Sequence, residues 1–243
     1  MPFNMTQNLG STFATFAYNR TVYDFRRPQM RAVSTQIALV LTLLAATPVF
    51  AADCASEVQA AFEKQRTQPS YRVNSKSPSV RGEIATQTEF QQPDRMYNKV
   101  EVPGEPGALE TIAIGRWAWA SHGGGFQELQ PQFAQSVTYD VTATLTTPVK
   151  TSEPFTCLGK VTRDGKEFVA YQSEPKASPG QPAGPENPLI ARTVFVDPAT
   201  GLPALNIVSE TKPDAPALVS AAYSYPADIK IEAPDAIPAG RTR

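Results

Sequence analysis

Few residues in this chain are equipped for chemistry. Its single histidine, His122, stands in Ser121-His122-Gly123-Gly124-Gly125. A serine hydrolase needs a nucleophile, a base and an orienting carboxylate that converge in space. Adjacent residues on a strand point to opposite faces, so Ser121 and His122 make a poor pair. No Gly-x-Ser-x-Gly elbow supplies another nucleophile. His122 reads as an exposed loop histidine, with a hydrolase built on Ser121 and His122 as a rival reading. One His and two separated Cys are too few for a zinc site, and no Asp-x-Asp-x-Asp-Gly calcium loop occurs. The three glycines lack the Lys-Ser/Thr of a phosphate loop and read as a turn. Glu83 and Glu89 could serve as an acid/base pair, but on a polar strand they read as a solvated face. No catalytic residue, metal or cofactor is expected.

The two cysteines, Cys54 and Cys157, carry more information. Upstream of them, Arg26, Arg27 and Arg31 precede an apolar run from Ile37 to Phe50. As a helix that run is about 21 Å long, short of a hydrocarbon core of about 30 Å. A basic start, a short apolar stretch and a small-residue exit at Ala51 describe a secretory signal peptide; an N-terminal membrane anchor is the alternative. Residues 1–29 show no helical or strand period and read as an over-extended start, with Met30 as the initiator. Segment 1–51 is therefore set apart from a single domain over 52–243. An exported chain with two cysteines is most simply read as carrying one disulfide, here Cys54–Cys157. The competing reading, a lipid-modified Cys54, is opposed by Asp53 directly before it.

Composition narrows the classes. Of 243 residues, 41% are apolar, enough for a core, and 23 are proline, which argues against long helical bundles. The formal charge of -1 argues against nucleic-acid binding.

The elements must then position what side chains there are. A helix is expected from Cys54 to about Gln65, capped by Asp53 and stopped at Pro69. Strands follow around Tyr71 and Val73, over Arg81–Gln91 with Ile84, Thr86, Thr88 and Phe90 on one parity, and over Met96–Val102. Ala108–Ser121 reads as two short strands broken at Gly115, because Ile112 and Ile114 fall on one parity and Trp117 and Trp119 on the other. A second helix starts at Pro131 and carries Phe133, Ala134, Val137, Val141 and Leu145. Strands on either side of Arg163-Asp164-Gly165 form a hairpin. Residues 175–188 form a Pro/Gly-rich exposed loop. Strands are expected over 192–196, 204–209, 218–225 and 229–231, and the tail after Pro234 is expected to fray.

Eight to ten strands with two helices and no strand–helix–strand rhythm exclude a parallel doubly wound sheet. A single antiparallel sheet of this size must curl or close. Two helices against its concave side would leave an apolar space, and concave apolar space is where small molecules or acyl chains bind. Trp117, Trp119, Phe126, Phe133 and Tyr171 are the candidates to line it.

The order of these segments resembles the LolA/LolB-type outer-membrane lipoprotein carriers and their periplasmic relatives. The resemblance spans about 54–235. It rests on Tyr71-Arg72-Val73, Pro93-Asp94-Arg95-Met96, Ile114-Gly115-Arg116-Trp117-Ala118-Trp119, Asp197-Pro198-Ala199-Thr200-Gly201-Leu202-Pro203, Tyr223-Ser224-Tyr225 and Ile229-Lys230-Ile231. It implies an α+β fold, a curved antiparallel sheet forming an unclosed β-barrel capped by two or three helices. It also implies carriage of a lipid or acyl chain rather than catalysis, in the periplasm. On the resemblance, Arg95 could hold a lid closed, as an arginine does in some relatives; by its neighbours alone it is a surface residue beside Asp94. The loop 175–188, the disulfide and the absent lipobox depart from the true lipoprotein carriers. The expected partner is a hydrophobic small molecule or a lipid or lipoprotein acyl chain, bound by a monomer that touches a membrane transiently and no nucleic acid. The alternative is a protein-interaction module with a filled core.

Overall fold

The structure, a computed structural model, describes residues 53–177, 184, 187–212 and 214–238. The signal segment ending at Ala51 lies outside the described residues, as does most of the loop 175–188.

Helix α1 spans Cys54–Arg66 and α2 spans Pro131–Thr146. Asp53 sits at the N-cap of α1, its carboxylate accepting from the Ser56 hydroxyl at 2.5 Å. Helix α2 forms despite its Val- and Thr-rich sequence because the chain offers two compensations. Pro131 sits in the first turn, where no N–H is missed. The hydroxyls of Thr138, Thr144 and Thr146 donate to carbonyls four residues back, so they do not compete for other backbone groups. Ala134, Val141 and Leu145 then form one buried stripe.

Twelve strands form one sheet: β1 (Ser70–Ser79), β2 (Gly82–Gln91), β3 (Arg95–Glu101), β4 (Leu109–Ile114), β5 (Trp117–His122), β6 (Phe126–Glu128), β7 (Phe155–Arg163), β8 (Lys166–Ser173), β9 (Ile190–Val196), β10 (Pro203–Glu210), β11 (Ala217–Ser224) and β12 (Ala236–Ile237). Their spatial order is β12-β6-β5-β4-β3-β2-β1-β11-β10-β9-β8-β7. Two antiparallel meanders, β1–β6 and β7–β11, are thus joined where β11 returns beside β1, and β12 and β7 leave the curled sheet open. The turns follow local chemistry. Asp164 and Gly165 both hold positive φ (49° and 75°), as a two-residue hairpin requires. Gly115, at φ 59°, turns β4 into β5.

That turn explains the parity change at Gly115. Ile112 pairs with Trp119 and Ile114 with Trp117, so the reversal of the chain returns all four side chains to one face. Two expectations at the C-terminus are corrected. Residues 229–231 form no strand; Ile229 and Ile231 are buried against Ile112, Trp119 and Phe126. The described part of the tail after Pro234, residues 235–238, does not fray, and the rest lies outside the described residues. Ala236 and Ile237 pair parallel with β6, drawn there by the buried isoleucines that precede them.

Both helices pack on the same face of the sheet. Helix α2 covers Tyr71, Ala113 and Ala118, with Phe90 and Met96 at the margin. Helix α1 covers Tyr171, Val194 and Val196, and the Cys54–Cys157 disulfide ties its first turn to the edge strand β7. The helices are strapped at their C-terminal ends. Arg66 binds Glu63 through a short ion pair and donates to the Leu145 carbonyl at 3.0 Å, while the Val149 amide donates to Glu63 at 3.1 Å. The Arg66 hydrogen bond, helped by the Val149 amide, holds the Glu63 carboxyl down at about 2. A depressed carboxylate stabilises the fold above its unfolded pKa and loses that contribution as pH falls through the folded value. The strap should therefore be intact above about pH 4.5 and weaken from there toward pH 2. Glu63 is partly exposed, so the contribution is about 1 kcal/mol. Thermal melts of wild type and Glu63→Gln should differ at pH 7 and converge near pH 2; a constant difference at every pH would refute the assignment.

Candidate functional site

Strand register decides which side chains share the helix face. From Tyr71↔Phe90, Phe90↔Met96, Met96↔Ala113 and Ala113↔Ala118, that face carries residues 71–79 of odd number, 82–90 and 96–100 of even number, Leu109, Thr111 and Ala113, and Ala118, Ala120 and His122. None of these is an acid, a lysine or an arginine. The opposite face of the same strands is charged and cross-linked: Arg72 with Glu89 at 2.7 Å, Lys76 with Glu83 at 2.8 Å, Lys99 with Glu101 at 2.6 Å.

The helices occupy only one end of this uncharged face. Beneath them the space is filled: Leu145 and Val58 are fully buried, and the Tyr71 and Phe90 rings stack at 4.9 Å. Burial pushes the Tyr71 phenol well above its ordinary range. Among the described residues, no helix covers the other end. One printed register row runs Leu109–Val100–Thr86–Ser75–Ala221–Asn206 across β4, β3, β2, β1, β11 and β10. A neighbouring row runs Val219–Val208–Arg192 across β11, β10 and β9. Leu109 is 42% exposed and Val219 39%, while Val100, Thr86 and Val208 are half-buried. Five strand gaps of about 4.8 Å make the first row about 24 Å long. It is an open strip of aliphatic, hydroxyl and amide side chains on which apolar chains could lie.

The five aromatic residues expected to line a common space are not brought together. Trp119 and Phe126 lie on the opposite face under Ile229 and Ile231. Trp117 shares their parity, is 45% exposed, and carries the Arg116 guanidinium 4.9 Å from its ring centre. Phe133 points outward from α2, 59% exposed. Only Tyr171 is buried on the helix face, beneath α1, where its hydroxyl donates to Glu57 at 2.5 Å. Burial and that bond push its phenol well up. A separate cavity of about 330 Å³ lies between β5 and the first turns of α2, lined by Trp117, Leu129, Pro131, Gln135 and Thr138 among others.

Arg95 holds no helix. It donates to the Ile231 carbonyl at 2.6 Å and, with Gln91 accepting from the Ile231 amide at 2.9 Å, fastens the C-terminal segment to the opposite face. Ser121 and His122 point to opposite faces; Ser121 is buried and donates to the Gly124 carbonyl at 2.8 Å. Among the described residues no three His, Cys, Asp or Glu side chains cluster as metal ligands.

The strip residues Leu109, Val100, Val219 and Val208 were not singled out from sequence. The alternation Ile84–Thr86–Thr88–Phe90 was visible, but which strands bring their residues alongside it depends on the order β4-β3-β2-β1-β11-β10.

No family model and no curated protein matches this sequence. Solved structures do. LprF from Mycobacterium bovis is 13% identical, with 74% of this chain and 96% of that one covered and a TM-score of 0.47. The lipoprotein LppX from Mycobacterium tuberculosis is 8% identical, covering 74% and 98%, with a TM-score of 0.49. A LolA superfamily protein from Nitrosomonas europaea is 12% identical, covering 72% and 92%, with a TM-score of 0.30. The architecture itself is an unclosed twelve-stranded sheet with two helices on one face.

Proposed function

We propose that this chain is a non-catalytic binding protein of the periplasm that shelters a hydrophobic ligand, a lipid or acyl chain, on the uncovered end of the helix face. The observation that carries this reading is the chemical asymmetry of β1–β5: ion pairs on one side, no acid, lysine or arginine on the other, and helices over only part of the latter. The exposed aliphatic side chains of that face are costly in water unless something covers them; burying about 300 Å² of apolar surface gains roughly 7 kcal/mol before the costs of association. The disulfide fits an oxidising compartment, and among the described residues no helix is long and apolar enough to cross a membrane.

The test is a titration of the purified chain with a fluorescent long-chain fatty acid. Val100→Glu and Leu109→Glu place a charge on the strip and should each weaken binding by tenfold or more. Tyr139→Glu adds the same charge on the exposed side of α2, where Tyr139 is 72% exposed, and should leave affinity unchanged. Equal affinities in all four proteins, or no binding by wild type, would overturn the proposal. A second reading has one observation in its favour, the solid packing under the helices. It makes the chain a protein-interaction module, and predicts solvent extracts of the natively purified protein that contain no lipid.

A further inference from the structure

The helix face stays free of acids, lysines and arginines across β1–β5 but not across the whole sheet. Arg192, on β9, faces Val208 in register, so it stands at the end of the row Val219–Val208–Arg192. Its guanidinium lies between two rings, 5.3 Å from the Phe62 centre and 5.7 Å from the Phe155 centre. Its Nε is buried without a hydrogen-bond partner. Among the described residues no carboxylate forms an ion pair with it. The acid two positions from Val208, Glu210, is bound to Lys212 at 2.9 Å. A buried N–H donor is normally hydrogen-bonded, because an unpaired one gives up hydration for nothing.

A second unmatched group adjoins it. Asn206 ends the other row and stands diagonal to Arg192 on the paired strands, a separation of about 7–8 Å between backbones. Its Oδ1 is also buried and partnerless. The Asn206 amide hydrogen-bonds the Tyr223 hydroxyl, and Tyr223, raised by burial, feels the charge of Arg192. Turning that amide over would let Oδ1 accept from the Tyr223 hydroxyl and leave Nδ2 free to donate. Two donors on neighbouring strands, one of them cationic, then stand at the end of the strip. The rings of Phe62 and Phe155 hold the guanidinium in place.

We infer that Arg192 and Asn206 receive the anionic head, a carboxylate or phosphate, of an amphiphile whose tail lies along the strip toward Val100 and Leu109. This rests on the reading above that the strip binds an apolar chain, and it names the chemistry of that ligand's polar end. A guanidinium accepts such a head through charge-assisted hydrogen bonds, which a neutral ester cannot match.

The experiment compares the full chain's affinity for a fluorescent long-chain fatty acid with that for its methyl ester, in wild type, Arg192→Gln and Arg192→Lys. Wild type should bind the acid at least tenfold more tightly than the ester. Arg192→Gln should lose at least tenfold for the acid and less than twofold for the ester, and Arg192→Lys should recover part of the loss. The wild-type comparison needs no variant and stands even if a substitution impairs folding. Equal binding of acid and ester by wild type, or equal loss of both in Arg192→Gln, overturns the head-group assignment while leaving the strip's role standing. Binding of neither ligand overturns both. Inorganic phosphate that displaces the acid at comparable concentration shows a site for a free anion, and overturns the amphiphile.

Discussion

Replacing both cysteines, as Cys54→Ser/Cys157→Ser, should lower the stability of the chain by about 2–4 kcal/mol. The bridge spans 103 residues of sequence. Chain entropy alone sets an upper figure of about 4.7 kcal/mol for a loop of about 100 residues, and native cross-links return less than that limit. At about 2–4 °C per kcal/mol for a domain of this size, a loss near the middle of the range is a fall of about 6–12 °C in the melting temperature. The effect should be large because the bridge closes a long loop. Beyond Val58, Ala61 and Phe62, α1 is held by single polar contacts: Tyr171 donating to Glu57 at 2.5 Å, Lys64 to the Thr200 carbonyl at 2.6 Å, the Thr151 amide to Gln59 at 3.2 Å and Arg66 to the Leu145 carbonyl at 3.0 Å. Differential scanning calorimetry of the serine double variant checks this directly. A melting temperature within about 1 °C of wild type would mean that α1 is held by its packing alone.

The location of the bridge matters for binding as well as for stability. Phe62 of α1 supplies one of the two rings beside Arg192, and Phe155, two residues before Cys157 on β7, supplies the other. The disulfide therefore ties together the two elements that flank the guanidinium. In an unclosed sheet with β7 as one free edge, a covalent tie here restrains that edge strand.

How far this could be read from sequence depends on the range over which each feature is decided. Both helices were legible at their starts, Asp53 and Pro131, because capping is a local matter. The hairpins at Asp164-Gly165 and Gly115 were legible for the same reason: each needs a backbone conformation that few residues adopt. The Cys54–Cys157 pairing was legible because two cysteines allow a single intramolecular bridge. Three things were not. Trp119 and Phe126 are apolar, alternate correctly and sit near a glycine turn, yet face away from the helices; only the register of β4, β5 and β6 assigns that face. Ile229 and Ile231 alternate as in a strand but lie as an unpaired segment, because what they need is burial against Ile112 rather than a ladder. Arg192 looks like an ordinary strand-end arginine. That it has no ion-pair partner among the described residues emerges only when β9 is placed between β8 and β10.

Leu145→Ala should cost about 2–5 kcal/mol, the range for deleting a fully buried leucine side chain whose surroundings cannot collapse. Leu145 is 1% exposed and belongs to the cluster formed by α2 with Tyr71, Ala113 and Ala118. Its neighbours are poorly free to move: Tyr71 is stacked on Phe90, and the Leu145 carbonyl is held by Arg66. The variant also asks where an apolar ligand sits. If the chain lies on the open strip at the far end of the sheet, a void under α2 leaves affinity for a long-chain fatty acid within about threefold of wild type when measured well below the melting transition. If instead the ligand enters beneath α2 and must displace the packing there, Leu145 is the plug, and its removal should tighten binding rather than leave it alone. Calorimetric unfolding gives the stability half of this prediction, and a fluorescence titration gives the other. Tighter binding in Leu145→Ala would move the ligand from the open row Leu109–Val100–Thr86 to the helix-covered cluster, because only there does the deleted side chain occupy the space a tail would need.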